Sequence, residues 1–150
     1  RLAARTAVDG HRPQGHRQRA LVVDDDPASA RAMLQVLSSL GLNVTVVFHG
    51  SDAVEHLRNE HFELFILDWC MPHLNGSEIV KSLYELASNN NQKYGRIVRM
   101  PIIVYSGLNE TDLELPEELN FFRCTDFLQK PSSFSELALL IVSSLSRAGD

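Results

Sequence analysis

The fold is decided by a stretch near the start of the chain, Leu21-Val22-Val23-Asp24-Asp25-Asp26-Pro27, in which a short apolar run ends at three acids. Three later apolar runs also end at polar or charged residues. They are Leu64 to Leu67 before Asp68, Ile102 to Tyr105 before Ser106, and Phe127 to Gln129 before Lys130. Short apolar runs separated by helical patterns are typical of a parallel sheet with helices on both faces. We therefore predict a doubly wound α/β fold with five strand–helix units.

The residues at the strand ends should meet, because all strands of a parallel sheet end at the same edge. Ligands bind in the crevice at that edge, where the strand order switches. We expect Asp24, Asp25, Asp68, Ser106 and Lys130 to form one pocket.

A pocket with several acids needs a cation. Two carboxylates about 4 Å apart repel by roughly 4 kcal/mol at an effective dielectric of about 20. Lys130 supplies one positive charge, and a divalent metal would supply the rest; oxygen ligands suit Mg²⁺. With Mg²⁺ bound, Asp68 is a candidate nucleophile toward a phosphoryl group, and Ser106 is a candidate donor to one of its oxygens.

The same pieces resemble the receiver domain of two-component response regulators, the family of the chemotaxis regulator. The resemblance covers about residues 20 to 147 and implies a flavodoxin-like sheet with strand order 2-1-3-4-5. The matching pieces are Val22 to Pro27, Leu67 to Pro72 with Asn75-Gly76, Val104 to Gly107, and Lys130-Pro131. Any one piece is a weak signal, but four in order make a strong one.

The resemblance implies a role for each acid. Asp68 would be the phosphoacceptor, and Asp24 and Asp25 would be the acidic pair, with Asp25 the more direct Mg²⁺ ligand. Asp26 would cap the first helix instead of binding metal. Asp68 would also bind Mg²⁺, and Cys70 would contribute its backbone carbonyl.

The resemblance also implies a conformational switch. Ser106 would be the switch hydroxyl, Phe127 the aromatic switch residue, and Lys130 the lysine that pairs with the acceptor and then with the phosphoryl group. Two features depart from the family pattern: the cysteine side chain at position 70, and Pro116 where the fourth helix should run, which predicts a short helix there.

Charge divides the chain into two parts. Residues 1–19 hold five of the 14 basic residues and one of the 19 acids, which leaves nine basic and 18 acidic residues for the remainder. We expect 1–19 to be a basic flexible linker, with a nucleic-acid-binding arm as the alternative, 20–147 to be the receiver domain, and 148–150 to be a C-terminal tail. The acidic domain itself argues against nucleic-acid binding.

No stretch is long and apolar enough to span a membrane, and residues 1–19 lack the apolar core of a signal peptide. Cys70 and Cys124 form no CxxC motif, so a reducing, cytoplasmic location is expected.

Several local patterns give further expectations. The first helix should bury Ala30, Met33, Leu34 and Leu37, and Ser133 with Glu136 should cap the last helix. Residues 88–95 should form a polar loop. Trp69 should partly cover the acidic site, and one of Phe121 and Phe122 should be exposed.

We interpret the chain as a signalling phosphoacceptor and not an enzyme in itself. Its donor would be a histidine kinase or histidine phosphotransfer domain, and it would be a stand-alone regulator or the C-terminal receiver of a hybrid histidine kinase. Self-association could use the face of the fourth helix, last strand and last helix. Two alternatives are a magnesium-dependent phosphatase with an aspartate nucleophile, which usually has an acid where Cys70 stands, and a degenerate receiver that acts as a binding scaffold.

Overall fold

Five strands alternate with helices along the chain in the structure, a computed structural model that describes residues 17–69, 75–89 and 95–148. The strands are β1 Arg19–Val23, β2 Asn43–Val47, β3 Leu64–Asp68, β4 Ile102–Ser106 and β5 Thr125–Gln129. The α-helices are α1 Pro27–Ser39, α2 Gly50–Asn59, α3 Gly76–Ser88, α4 Gly95–Arg99 and α5 Phe134–Ala148.

All five strands form one parallel sheet in the order β2-β1-β3-β4-β5, which confirms the predicted fold and strand order. The order reverses at β1, which lies between β2 and β3. Val23 pairs with Val47 and Leu67, and Asp68 pairs with Tyr105. This register brings the carboxyl ends of β1, β3 and β4 to one edge, beside the point at which ligands bind in such sheets.

The core has one layer on each face of the sheet. β3 and β4 are buried along their whole length, as expected for central strands covered on both sides. Alternate residues of β1 enter the two layers: Leu21 and Val23 pack with residues of α2 and α3, and Ala20 and Val22 pack with residues of α1 and α5. This packing on both faces holds the sheet in place, and with it the residues at the strand ends.

Helix α1 begins as predicted, with Asp26 as its N-cap and Pro27 as its first residue. The carboxylate of Asp26 accepts hydrogen bonds from the backbone N–H groups of Ala28 and Ser29, at 3.4 and 3.3 Å. The predicted burial of Leu34 is wrong, since it is 37% exposed and Val36 is buried instead. The buried stripe is centred on Met33 and Leu37, so Leu34 lies at its solvent-facing margin.

The connection from β4 to β5 contains no α-helix. Two 3₁₀ helices, Glu110–Asp112 and Glu117–Phe121, replace the short fourth helix that the sequence predicted. Pro116 lies immediately before the second, where its missing N–H and its effect on Leu115 oppose a continuous α-helix. Phe122 is buried and Phe121 is 37% exposed, which confirms that the two rings point in different directions.

In the described residues, regular structure starts at Arg19, the first residue of β1, and extends to Ala148, the last residue of α5. Residues 1–16 and 149–150 lie outside the described residues, as do positions 90–94 of the predicted loop. The loop is followed by the short helix α4, whose Ile97 is buried.

The last helix is capped as predicted. The backbone N–H of Glu136 donates to Ser133 Oγ at 3.1 Å, and the Glu136 carboxylate accepts from the Ser133 N–H at 3.0 Å. No helix in the described ranges has both the length and the apolar character that crossing a bilayer requires.

Candidate functional site

The acidic site begins where β1 meets α1. The backbone N–H of Asp24 continues the sheet by donating to the Val47 carbonyl at 3.1 Å. Its carboxylate oxygen Oδ1 accepts the N–H of Asp26 at 2.9 Å, so the chain turns around this side chain. Asp24 is only 3% exposed, whereas Asp25 is exposed. The run of three acids is thereby divided into a buried carboxylate, an exposed carboxylate and a helix cap.

Asp68, at the end of β3, completes a cluster with Asp24 and Asp25. One carboxylate oxygen from each lies within 4.8 Å of the other two. At that separation each pair of charges repels by about 3 kcal/mol at an effective dielectric of about 20. Three hard oxygen donors at this spacing are a donor set that fits Mg²⁺.

Lys130 is the residue immediately after β5, and its side chain reaches the acidic cluster. Its Nζ lies 3.3 Å from Asp24 Oδ2 and 3.7 Å from Asp68 Oδ2, and its side chain is 24% exposed. Its backbone N–H donates to the Ser106 carbonyl at 2.7 Å, which fixes the start of the loop after β5. The Lys130–Pro131 peptide bond is cis. The ammonium pairs with two of the three carboxylates, and a bound cation would offset the repulsion among all three.

The two predicted switch residues lie on adjacent strands. Ser106 ends β4 and is 2% exposed, and its Oγ accepts a hydrogen bond from the Leu108 N–H at 3.1 Å. Phe127 on β5 pairs in register with Val104. It is half-buried and packs against the core layer formed with α2 and α3. The structure thus brings Ser106 to the acidic edge and leaves Phe127 one strand away with part of its ring accessible.

Trp69, the residue after Asp68, packs in the core layer formed with α2 and α3. The expectation that it partly covers the acidic site stays a prediction. Trp69 is 6% exposed, and a Cβ atom added at Gly76 would lie 2.2 Å from its ring. The Gly76 N–H also donates to the Trp69 carbonyl at 3.0 Å. Gly76 therefore lets α3 start against the indole. Cys70, the predicted carbonyl ligand, lies outside the described residues.

Tyr105 is a neighbour of the site that the sequence analysis missed. The Lys130 Nζ lies 4.9 Å from the centre of its ring, and its hydroxyl oxygen is 3.4 Å from Ser132 Oγ. The one available signal was an aromatic residue at the end of an otherwise aliphatic strand.

Comparison with known sequences identifies the family. The sequence profile described as the response regulator receiver domain matches residues 20–142, which is most of the chain. The chain belongs to the response regulator receiver domain family. A receiver domain is a signalling module of two-component systems, and this assignment agrees with the resemblance inferred from the strand ends.

Curated relatives of this receiver domain include both transcriptional regulators and hybrid kinases. It is 30% identical over 135 residues to the DNA-binding response regulator MtrA of Mycolicibacterium smegmatis, covering 89% of this chain and 53% of that protein. It is 27% identical over 124 residues to hybrid signal transduction histidine kinase K of Dictyostelium discoideum, covering 79% of this chain and 10% of that protein. The receiver domain thus spans about half or less of these relatives.

Solved receiver structures share the fold. The receiver domain of Francisella response regulator 1452 matches with a TM-score of 0.66 and 28% identity, covering 87% of this chain and 98% of that one. The receiver domain of the Pseudomonas aeruginosa sensor histidine kinase PA1611, a structure with magnesium coordinated in its active-site cleft, matches with a TM-score of 0.68. Its identity is 23% and it covers 87% of this chain and 98% of that one, so this likeness supports the fold alone.

Proposed function

We propose that Asp68 accepts a phosphoryl group from a phosphohistidine donor, with Mg²⁺ held by Asp24, Asp25 and Asp68. The observation that carries this proposal is the cluster of three carboxylates within 4.8 Å of one another, two of which pair with Lys130. Such an arrangement is costly unless a cation binds it. The Cys70 carbonyl remains a proposed fourth protein ligand.

In the transfer, a carboxylate oxygen of Asp68 forms a bond to phosphorus while the bond from phosphorus to the donor imidazole nitrogen breaks. The electron pair of the broken bond returns to that nitrogen. When bound, Mg²⁺ supplies positive charge that offsets the charge of the phosphoryl oxygens. Lys130, which lies 3.7 Å from Asp68 Oδ2, supplies a second positive charge close to the same oxygens.

The readout would begin at Ser106. A phosphoryl group adds about −1.5 to −2 charges and three strong acceptor oxygens. The Ser106 hydroxyl would donate a hydrogen bond to one of the phosphoryl oxygens. It would then move away from the Leu108 N–H, whose hydrogen bond it now accepts. Phe127, half-buried beside the same core layer, would then turn further inward and change the outer surface at β5.

The proposed partners follow from the same assignment. The donor would be a histidine kinase or a histidine phosphotransfer domain, with residues 20–147 acting as a cytoplasmic receiver in a stand-alone regulator or a hybrid kinase. Self-association would use the Glu117–Phe121 helix, β5 and α5. The apolar side chains Phe134, Leu139 and Val142 support that face, since they are 56, 73 and 53% exposed on α5.

Intact-mass measurement after incubation with acetyl phosphate and Mg²⁺ tests the proposal. The wild-type protein should gain one phosphoryl group and the Asp68→Asn variant none. The Asp26→Asn variant is the matched control, because asparagine also caps helices and Asp26 lies outside the acid cluster; it should be labelled like the wild type. Equal labelling of the Asp68→Asn variant would refute the assignment.

A further inference from the structure

We propose that Tyr105 is a positioning residue that holds the Lys130 ammonium over the acidic cluster. The inference rests on the proposed role of Asp68 as phosphoacceptor and adds a residue to which neither the family resemblance nor the strand-end pattern gave a role. It starts from a contact between the lysine and an aromatic ring: the Tyr105 ring centre lies 4.9 Å from Lys130 Nζ.

The Tyr105 ring is fixed by the core. It is 9% exposed and belongs to the layer that the sheet forms with α1 and α5, which also contains Val22, Ile66, Leu137 and Ile141. A ring held by packing can serve as a fixed surface for a flexible side chain. The face of an aromatic ring carries partial negative charge, which attracts an ammonium within about 6 Å of the ring centre.

The tyrosine also contacts the segment that carries the lysine. Its hydroxyl lies 3.4 Å from Ser132 Oγ, two residues after Lys130. The backbone N–H of Lys130 donates to the carbonyl of Ser106, the residue next to Tyr105. The end of β4 therefore holds the loop after β5 by a backbone bond, a hydroxyl contact and a ring–ammonium contact.

The ring contact matters because the other contacts of the ammonium are shared. Lys130 Nζ lies 3.3 Å from Asp24 and 3.7 Å from Asp68, both proposed ligands of a divalent cation. A cation on these carboxylates repels the ammonium and reduces their attraction for it. The attraction of the Tyr105 ring does not depend on the carboxylates. It would keep Lys130 beside Asp68 under the conditions in which phosphoryl transfer takes place.

Three variants separate the ring from its hydroxyl. Tyr105→Phe keeps the aromatic face and loses the contact with Ser132, and Ser132→Ala removes the same contact from the other side. Tyr105→Leu keeps an apolar core residue and loses the ring. We expect Tyr105→Leu to slow acetyl phosphate labelling of Asp68 by about tenfold at saturating Mg²⁺, and the other two variants to stay within about threefold of wild type.

The Lys130→Met background distinguishes positioning from a general effect on the core. If Tyr105 acts through Lys130, Tyr105→Leu should cause no further slowing in that background, since the group that it positions is gone. Equal slowing with and without Lys130 would overturn the proposal, as would an unchanged rate in Tyr105→Leu alone.

A second readout does not depend on phosphorylation. The Lys130 side-chain Hε protons should show an upfield ring-current shift in the proton NMR spectrum of the wild type and Tyr105→Phe, and lose it in Tyr105→Leu. If the wild-type protein were never labelled, the proposed function of Asp68 would be refuted. The ring-current shift would still show whether the Lys130 side chain lies over the Tyr105 ring. Absence of the shift in the wild type would overturn the proposed contact.

Discussion

The two edges of the sheet carry similar residues in opposite arrangements. At the amino edge two acids, Glu60 and Glu63, have separate partners: Glu60 lies 2.5 Å from both Arg19 Nη2 and His56 Nδ1. Glu63 accepts the Arg19 backbone N–H at 2.6 Å and lies 2.7 Å from His61 Nε2. At the carboxyl edge, Lys130 pairs with two of the three clustered carboxylates, those of Asp24 and Asp68. The two edges therefore differ in how their acids are paired, and the proposed Mg²⁺ site is the edge at which carboxylates cluster.

The difference between the edges predicts effects of opposite sign. Removing an acid from the balanced amino edge leaves a cation without its partner and lowers the free energy of unfolding. Removing an acid from the crowded carboxyl edge relieves repulsion between carboxylates and raises the free energy of unfolding.

The largest effect should follow loss of Lys130, the cation that pairs with Asp24 and Asp68 at the carboxyl edge. Lys130→Met should slow Asp68 labelling by acetyl phosphate by about 100-fold, because a positive charge beside the transferring group is lost. Lys81→Met, on the exposed side of α3, is the control of equal charge change and should label normally. Similar rates for the two variants would show that the position of Lys130 has no importance for transfer.

The next effect concerns Mg²⁺ affinity and the free energy of unfolding, both of which should change in one variant. Asp25→Ala should weaken Mg²⁺ binding by at least about tenfold, because one of three ligand carboxylates is lost. Without Mg²⁺ the same variant should be more stable than the wild type by about 1 kcal/mol, since Asp25 is exposed and its repulsion is partly screened. Thermal unfolding with and without Mg²⁺ measures both quantities. A Mg²⁺ response equal to that of the wild type would remove Asp25 from the ligand set.

The smallest effect should occur at the amino edge. The hydrogen bond from Arg19 and then that with His56 lower the pKa of Glu60 below its ordinary 4.5. Because the pKa is lowered by folding, the stabilisation is present above about pH 4.5 and is lost as the pH falls through the lowered value. Glu60→Gln should therefore cost about 0.5 kcal/mol at neutral pH, a value typical of a partly exposed pair.

Urea unfolding of the wild type and Glu60→Gln at pH 7 and at pH 3 measures that difference. It should shrink in acid, and labelling of Asp68 should not change. A Glu60→Gln variant that is more stable than the wild type at pH 7 would mean that the amino edge is not balanced as described.

The sequence predicted the fold and the position of the acidic cluster because both follow from strand ends. The apolar runs before Asp24, Asp68, Ser106 and Lys130 predict parallel strands, and a parallel sheet brings their carboxyl ends together. Such positions depend on the backbone, which hydrophobic pattern largely determines.

The sequence did not predict contacts that depend on side-chain direction. The ring of Tyr105 lies near Lys130 because β4 packs beside the segment that follows β5, and the ring of Trp69 packs against Gly76 at the start of α3. The exposure of Leu34 is of the same kind, since a margin residue is buried only if a neighbouring element covers it. The sequence predicted a short fourth α-helix in the connection after β4. Pro116 prevents an α-helix there instead of shortening one.

The most direct test of the central claim locates the phosphoryl group itself. The protein would be incubated with acetyl phosphate in the presence or absence of Mg²⁺, reduced with borohydride to convert an aspartyl phosphate to homoserine, and digested for peptide sequencing by mass spectrometry. Homoserine should appear at position 68 alone, and only in the sample that contained Mg²⁺. Homoserine at Asp24 or Asp25, or equal conversion at Asp68 without Mg²⁺, would contradict the account of the carboxyl edge as a magnesium-dependent phosphoacceptor site.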